Sequence, residues 1–312
     1  MANCKEFYYP SSDGTSRIHA AEWTPDGDPI GVLQIAHGVA EYGMRYAPFA
    51  EFMTEHGFVV VANDHLGHGL SAEKDSDTIY FGPRDGWTHV VDDMYALRCR
   101  TKEKNPDVPY FLMGHSMGSF LTRTYLIRYP GTVDAAIIMG TGHQSPAIVA
   151  GGRAIARAAG KRRGFAAHSP RVENLAFGAY NKAFAPNRTE VDWLSVSDNN
   201  VDSYIADPPC GQKASIGLFY EMLGGIQFVS AQKNINSMNL NTPILFIAGD
   251  KDPVGEMGKG VKRAYNAFRR AGVRDVELKL YEGLRHEILN EDCRAVVYND
   301  LLAWMQKHLP QA

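Results

Sequence analysis

The sequence has few cysteines, no long apolar run and no excess of basic charge, and each absence excludes a class of protein. The four cysteines among 312 residues lie far apart and form no CxxC pair, so we expect free thiols rather than a disulfide framework or a zinc site. No stretch of about 18 apolar residues occurs, which excludes a membrane-spanning helix. The formal net charge of −3 gives no reason to expect nucleic acid as a partner.

Short motifs that indicate a bound cofactor are also missing. Neither GxGxxG nor a P-loop occurs, so no nucleotide is expected. His65 and His68 could be metal ligands, but no HxHxDH or HExxH spacing surrounds them, and we expect no metal and no cofactor. The first ten residues show no basic region followed by an apolar one, so no secretion signal is predicted and we expect a cytoplasmic protein.

What the sequence does contain is an alternation of compact apolar runs and helical periodicities. Runs such as Gly31–Ala36, Phe58–Ala62 and Tyr110–Met113 are typical of strands buried on both faces. Two shorter strands near the start, Glu6–Tyr9 and Ile18–Trp23, are predicted to form a hairpin. The alternation predicts an α/β fold, with a mostly parallel sheet covered by helices on both faces.

This rhythm is interrupted in the middle of the chain. From residue 142 to residue 237 the short apolar runs disappear, and helical segments rich in arginine and aromatic residues replace them. Strand-and-helix alternation resumes at Pro243–Ala248. We therefore predict one α/β core, formed by residues 1–141 and 238–312, interrupted by a mainly helical insertion of residues 142–237, here called the cap.

The segment Gly114–Gly118 fits the pattern G-x-S-x-G between a predicted strand and a predicted helix. Small residues on both sides of Ser116 allow the strand to turn sharply into the helix, which exposes the serine hydroxyl at the carboxyl edge of the sheet. A serine hydroxyl is a weak nucleophile and requires a base that a third group holds in place. The pattern therefore predicts a nucleophilic serine whose partners follow later strands.

Candidates for those partners lie after the last two predicted strands. His286 follows the strand Val276–Tyr281 and is the expected general base. Asp250 and Asp252 both follow the strand Pro243–Ala248, and their position alone does not choose between them. Acyl transfer also requires donors for an oxyanion, expected from the amide after the nucleophile and from the loop after an early strand.

Several motifs together resemble one family, the monoacylglycerol lipase and lysophospholipase branch of the α/β-hydrolase superfamily, which is grouped with serine aminopeptidase-like hydrolases. The resemblance implies the α/β-hydrolase fold with an inserted helical cap over the active site. The motifs that carry it span nearly the whole predicted core: HGVAEYGMRY (37–46), NDHLGHGLS (63–71), GHSMGS (114–119), GDKDPVG (249–255) and YEGLRHEILNE (281–291).

The resemblance also implies roles for individual residues. Ser116 corresponds to the nucleophile, Asp252 to the acid and His286 to the base of a Ser-His-Asp triad. Asp250 is then left as a loop residue.

The oxyanion donors follow from the same resemblance. It places them at the backbone N–H groups of Val39 and Met117. Glu41 and Arg45 fall on family positions that brace the loop of Val39 rather than react.

These assignments predict a serine hydrolase that cleaves carboxylic esters of monoacyl lipids, such as monoacylglycerols or lysophospholipids. A short-chain or aryl carboxylesterase and a thioesterase remain as alternatives, and an aminopeptidase or a non-catalytic hydrolase-like binding protein as more distant ones. An aminopeptidase requires acidic cap residues that bind a free amine. The acidic residues of the cap considered for this role form no evident pair: Glu173, Glu190, Asp192 and Glu221.

The cap is expected to select the substrate. Its aromatic and aliphatic side chains are numerous enough to line an acyl-chain tunnel or to form a small core of its own. The basic stretch Gly151–Gly164 fits either a solvated helix face or a patch that contacts anionic lipid headgroups or receives a phosphate-bearing substrate. Peripheral membrane contact through the cap and the oligomeric state are left open.

Overall fold

An eight-stranded sheet forms the centre of the molecule, which is described by a computed structural model over residues 3–72 and 78–310. The strands are β1 (Asn3–Pro10), β2 (Arg17–Thr24), β3 (Gly31–Ala36), β4 (Phe58–Asn63), β5 (Thr78–Ile79), β6 (Tyr110–His115), β7 (Ala135–Met139), β8 (Lys213–Ala214), β9 (Ile244–Gly249) and β10 (Val276–Tyr281). The helices are α1 (Ala47–Glu55), α2 (Gly86–Lys104), α3 (Met117–Arg128), α4 (Pro146–Arg163), α5 (Pro170–Phe177), α6 (Asp198–Ala206), α7 (Ile216–Ser230), α8 (Gln232–Ile235), α9 (Lys259–Ala271) and α10 (Arg294–Lys307).

The order of strands in the sheet is β1-β2-β4-β3-β6-β7-β9-β10. β2 pairs antiparallel with β1 and with β4, and every other neighbouring pair is parallel. This arrangement confirms the predicted mostly parallel α/β sheet and the predicted hairpin at the start.

Helices cover both faces of the sheet, so its central strands are buried along their whole length. One face carries Val32 and Leu112 and packs against α2, α3 and α9. The other carries Leu33 and Met113 and packs against α1 and α10. Neighbouring strand residues point to opposite faces, so both clusters are built from the same short runs.

The structure differs from the predicted elements in two places. The spacing of apolar residues from Val90 to Lys104 predicts a helix that starts at Val90, but α2 begins at Gly86, after Asp85 in a left-handed conformation (φ 50°). Trp87 in the first turn of α2 is buried and fixes the start of the helix. A single buried residue does not show up as a repeated apolar spacing in the sequence. The two-residue strands β5 and β8, which pair with each other, were not predicted, because two residues are too few to show a period.

Between β7 and β9 the chain forms α4 to α8 and β8, so the segment that contains the predicted cap is mainly helical. Its division from the core at residues 142 and 237 stays a prediction. Among the helices of residues 3–72 and 78–310, none has the length and apolar character needed to cross a bilayer. The parallel strands end at one edge of the sheet, and the loops that follow β3, β6, β9 and β10 carry the predicted site residues.

Candidate active site

Ser116 occupies the sharp turn between β6 and α3. Its backbone has a positive φ of 54° with a ψ of −121°, a strained conformation for a residue with a side chain. A Cβ at Gly114 would lie 2.2 Å from the carbonyl oxygen of Gly118, and one at Gly118 would lie 2.0 Å from that of Ala36. The two glycines are therefore required for the turn that presents the serine.

His286 and Asp252 approach each other at the same edge of the sheet. The imidazole Nδ1 lies 3.0 Å from the carboxylate Oδ2, and both side chains are buried. The approach is bent rather than aligned as a linear hydrogen bond, and neither atom has another partner among the described residues. The other carboxylate oxygen of Asp252 accepts a hydrogen bond from the N–H of Val254 at 2.9 Å. With Nδ1 facing the carboxylate, Nε2 is the nitrogen that remains for a substrate proton.

Asp250, the other aspartate of this loop, points elsewhere. Its Oδ1 accepts a hydrogen bond from the N–H of Gly283 at 2.8 Å, and its Oδ2 lies 3.6 Å from Nζ of Lys251. Sequence position left both aspartates open, and the structure places only Asp252 beside the imidazole.

Two glycines hold the serine and histidine loops in contact range. The N–H of Ser116 donates to the carbonyl oxygen of Met139 at 3.0 Å. The next residue, Gly140, lies against the imidazole, since a Cβ there would be 3.1 Å from Cε1 of His286. A Cβ at Gly38 would likewise lie 3.1 Å from Cβ of Ser116. The loops after β3, β6, β7 and β10 therefore converge on the serine.

Two backbone amides in these loops are free to bind an oxyanion. Within residues 3–72 and 78–310, neither Val39 nor Met117 donates its N–H to another residue. Met117 is the first residue of α3, where the helix dipole favours negative charge. The loop of Val39 is held by the N–H of Gly38, which donates to Oε1 of Glu41 at 2.6 Å.

Arg45 connects the loop that carries Val39, here called the oxyanion loop, to the loop that carries His286. Arg45 donates to Oε2 of Glu41 at 2.9 Å and to both carboxylate oxygens of Glu287 at 2.8 and 3.0 Å. Burial alone would raise the pKa of Glu41, but the hydrogen bond from His115 and the charge of Arg45 outweigh it and hold that pKa far below its usual value. Burial likewise opposes ionisation of Glu287, and the charge of Arg45 again lowers its pKa.

Sequence reasoning missed several neighbours of the imidazole. Nε2 of His115 lies 3.2 Å from the carbonyl oxygen of His286. The ring of Trp193, from the segment between β7 and β9, lies 5.1 Å from the ring of His286, and Tyr180 lies 5.0 Å from Trp193. Adjacency to G-x-S could have indicated His115, and adjacency to His286 could have indicated Glu287. Nothing distinguishes Trp193 from the other aromatic residues of its segment.

His65 and His68, weighed as metal ligands, lie with His37 in a buried cluster beneath the oxyanion loop. The ring of His37 lies 4.0 Å from that of His65 and 5.1 Å from that of His68. Nε2 of His37 accepts a hydrogen bond from the N–H of His65 at 2.9 Å. Burial lowers the pKa of all three rings, to about 3 for His68, so they are neutral supports of the loop.

Among the described residues, one group has the spacing to hold a cation: Asp275, Glu277 and His308. It lies at the start of β10, the opposite edge of the sheet from Ser116. Nζ of Lys307 already contacts Glu277 at 2.8 Å, and Nε2 of His308 contacts Asp275 at 3.1 Å. The internal pairing and the added lysine charge give this group no evident role in the reaction.

Comparison with known proteins gives consistent matches. The sequence profile of the family described as "Serine aminopeptidase, S33" matches residues 27–293. A monoacylglycerol lipase of Mycolicibacterium smegmatis is 32% identical over 302 residues, which cover 95% of each chain. Human monoglyceride lipase is 28% identical over 298 residues, covering 93% of this chain and 87% of that one. The crystal structure of a thermostable carboxyl esterase from Bacillus coagulans in complex with glycerol superposes with a TM-score of 0.92 at 28% identity, covering 99% of this chain and all of that one.

Proposed function

We propose that this chain, which belongs to the serine aminopeptidase S33 family of the α/β-hydrolase fold, is a serine hydrolase that cleaves carboxylic esters of monoacyl lipids through an acyl-enzyme. One observation carries the proposal: Ser116, in a strained backbone conformation, lies at the same edge of the sheet as the buried Asp252–His286 pair. The relatives named monoacylglycerol and monoglyceride lipase support the substrate class.

In the proposed first half-reaction, Oγ of Ser116 attacks the ester carbonyl carbon while Nε2 of His286 takes the serine proton. The carbon–oxygen bond to the alcohol then breaks, and the imidazolium returns its proton to the leaving alkoxide. Asp252 holds the imidazole in orientation and stabilises its positive charge. In the second half-reaction water replaces the alcohol, His286 takes the water proton, and the fatty acid leaves as Ser116 is reprotonated.

The oxyanion of both tetrahedral intermediates is assigned to the N–H groups of Val39 and Met117. Their lack of hydrogen-bond partners among the described residues supports this role, because a donor already engaged would first have to break a hydrogen bond. Loss of one such donor typically raises the barrier by about 3 kcal/mol.

The aromatic pair Trp193 and Tyr180 favours an ester with an apolar acyl group. Trp193 packs on the imidazole, so an apolar wall lies beside the proposed general base. Each acyl methylene buried against such a wall contributes about 0.8 kcal/mol to binding. Short-chain carboxylesterase or thioesterase activity is the second candidate. The similar carboxyl esterase was solved in complex with glycerol, which supports a polar alcohol of that size as the leaving group.

Three of the acidic side chains considered for an aminopeptidase are engaged elsewhere. Glu173 pairs with His168 at 2.7 Å, and Asp192 accepts the hydroxyl of Thr189 at 2.5 Å. Glu221 accepts from the N–H of Trp87 at 3.4 Å, away from the serine. These contacts leave little support for recognition of a free amine.

The proposal is tested with Ser116→Ala and a matched control, Ser237→Ala, an exposed serine whose hydroxyl donates to the carbonyl oxygen of Asn234. Hydrolysis of 2-monoacylglycerol and fluorophosphonate labelling should be lost in the first variant, by at least about 10⁴-fold in rate, and kept in the second. Full turnover by Ser116→Ala overturns the mechanism. A series of p-nitrophenyl esters then separates the two substrate classes, because a preference for acetate over laurate would favour the short-chain esterase.

We also propose that α4 contacts a membrane surface. Ile148 and Ile155 lie two turns apart on one side of α4 and are 68% and 52% exposed. Arg157, Lys161 and Arg162 are exposed on the same helix, a combination typical of interfacial helices. Ile155→Glu should reduce sedimentation with anionic vesicles, and unchanged, salt-independent partition would contradict the contact.

A further inference from the structure

Two connected cavities lie away from the proposed catalytic residues. The first, of about 530 Å³, opens between the start of α2, the second half of α3 and the middle of α7. The second, of about 400 Å³, runs along α4, and the two share Arg153 and Tyr220. Thr124, which lines the first cavity, follows Ser116 by eight residues on α3, or about 12 Å at about 1.5 Å per residue. None of the proposed catalytic side chains lines either cavity.

Arg153 is held in place between these cavities without a counterion. Its guanidinium lies 4.5 Å from the ring centre of Tyr220, and a Cβ at Gly224 would lie 3.1 Å from its Nη2. Its Nε is buried and has no hydrogen-bond partner, and it forms no ion pair with any described carboxylate. A guanidinium fixed by packing but unpaired is prepared to receive an anion, since little side-chain entropy is left to lose.

The charges around Arg153 also favour an anion. Arg84, at the mouth of the first cavity, forms no ion pair within the described residues either, whereas Arg128 is paired with Asp92 at 2.9 Å. Basic side chains outnumber acidic ones in the combined lining: Arg84, Arg128, Arg153, Arg157 and Lys161 against Asp85 and Glu221. Burial raises the pKa of Glu221 in this lining and the charge of Arg153 opposes that rise, so Arg153 has an acidic neighbour and it is the excess of basic side chains that favours an anion.

We propose that Arg84, Trp87, Arg153 and Tyr220 form a phosphate-binding site, here called the Arg153 site, independent of the proposed hydrolase function. A phosphate offers acceptor oxygens in several directions and can satisfy guanidiniums from two walls, whereas a carboxylate offers two oxygens in one plane. The rings of Trp87 and Tyr220 give the organic part of a phosphate ester an apolar wall. The phosphate belongs either to a free phosphate monoester or to a lipid headgroup.

Occupation of the Arg153 site should stabilise the fold. Arg84 and Trp87 belong to the segment that enters α2, whereas Arg153 lies on α4 and Tyr220 on α7, so a bound phosphate ties separate segments together. Because the ligand binds the folded state, it raises Tm by mass action, by about 3 °C at ten times its Kd for a chain of this size.

The test measures Tm and calorimetric binding with inorganic phosphate and with glycerol 3-phosphate, against chloride at equal ionic strength. Arg153→Gln and Arg84→Gln should each weaken binding about tenfold or more. Arg274→Gln is the matched control, because it removes the same charge from an exposed position that lies outside α4 and lines neither cavity. Arg84 is exposed, so its variant keeps the test valid if Arg153→Gln unfolds.

Vesicles distinguish the two sources of phosphate. Protein is sedimented with phosphatidylcholine vesicles with and without phosphatidic acid, in the Arg153→Gln and Arg274→Gln variants. A loss confined to Arg153→Gln supports a lipid headgroup, and a Tm shift with glycerol 3-phosphate supports the free ester. Equal effects in both variants, or no change of Tm with either phosphate beyond that with chloride, overturn the Arg153 site. None of these readouts uses turnover, so they do not depend on the proposed reaction.

Discussion

Protonation of the buried histidines beneath the oxyanion loop should make the protein acid-labile, and His68 allows the effect to be calculated. The ring is 1% exposed, its Nδ1 contacts the carbonyl of Leu66 at 3.2 Å, and its Nε2 has no hydrogen-bond partner in the described part of the chain. Burial, with the neighbouring His37, lowers the pKa of His68 to about 3 from an ordinary 6.5. The unfolded chain therefore binds one more proton than the folded one between these two values, and stability falls as the pH falls through them.

Integrating this difference from pH 8 to pH 4.5 gives a loss of about 2.7 kcal/mol in the free energy of unfolding from His68 alone. His68→Gln removes the titrating ring while keeping a side-chain donor for the carbonyl of Leu66. Urea unfolding of both proteins at several pH values gives their difference, in which the other titrating groups cancel. On going from pH 8 to pH 4.5, the free energy of unfolding of the variant should rise by about 2.7 kcal/mol relative to that of the parent.

A control separates titration from packing. Val90→Ala removes buried methyl groups from the core and should lower the free energy of unfolding by an amount that does not change with pH. If the difference between His68→Gln and the parent is equally constant from pH 8 to pH 4.5, the ring is not held neutral and the reasoning is refuted.

Three further outcomes follow from the same contacts. Burial raises the pKa of Asp93 to about 6 from 3.8, a penalty that develops as the pH rises through this range, so Asp93→Asn should gain about 2.4 kcal/mol relative to the parent between pH 4 and pH 8 in urea unfolding. Gly118→Ala should abolish folding into a soluble form on expression, whereas Gly151→Ala, on an exposed helix position with nothing within 4 Å, should raise Tm slightly. Arg45→Met should lower the free energy of unfolding by about 3–5 kcal/mol in urea titration, because it removes the arginine charge from two buried carboxylates.

The architecture could be predicted from the sequence because its strands are short, continuous apolar runs. Gly31–Ala36 and Phe58–Ala62 correspond to β3 and β4, and their full burial is what such runs indicate. The carboxyl ends of parallel strands share one edge, so the order of elements alone brought the serine, aspartate and histidine candidates to that edge.

Side-chain direction within a loop could not be predicted in this way. Asp250 and Asp252 differ by two residues, and only backbone contacts such as that between Asp250 and the N–H of Gly283 turn one away and leave the other beside the imidazole. Trp193 belongs to the helical segment between β7 and β9. Periodicity within that segment does not show where it lies over the sheet, so the packing of Trp193 on His286 could not be predicted.

The geometry of the proposed site depends on a single buried guanidinium. Glu41 positions the loop that carries the N–H of Val39, and Glu287 follows the proposed base directly in sequence. Arg45 contacts both carboxylates within 3.0 Å. If either loop moved, its buried carboxylate would lose its contact with the guanidinium. A lysine would offer one compact cation in place of a planar fork and could not keep both contacts at these angles. The distance between the oxyanion donors and the base is therefore set by an ion pair that touches no reacting atom, which makes Arg45 a positioning residue.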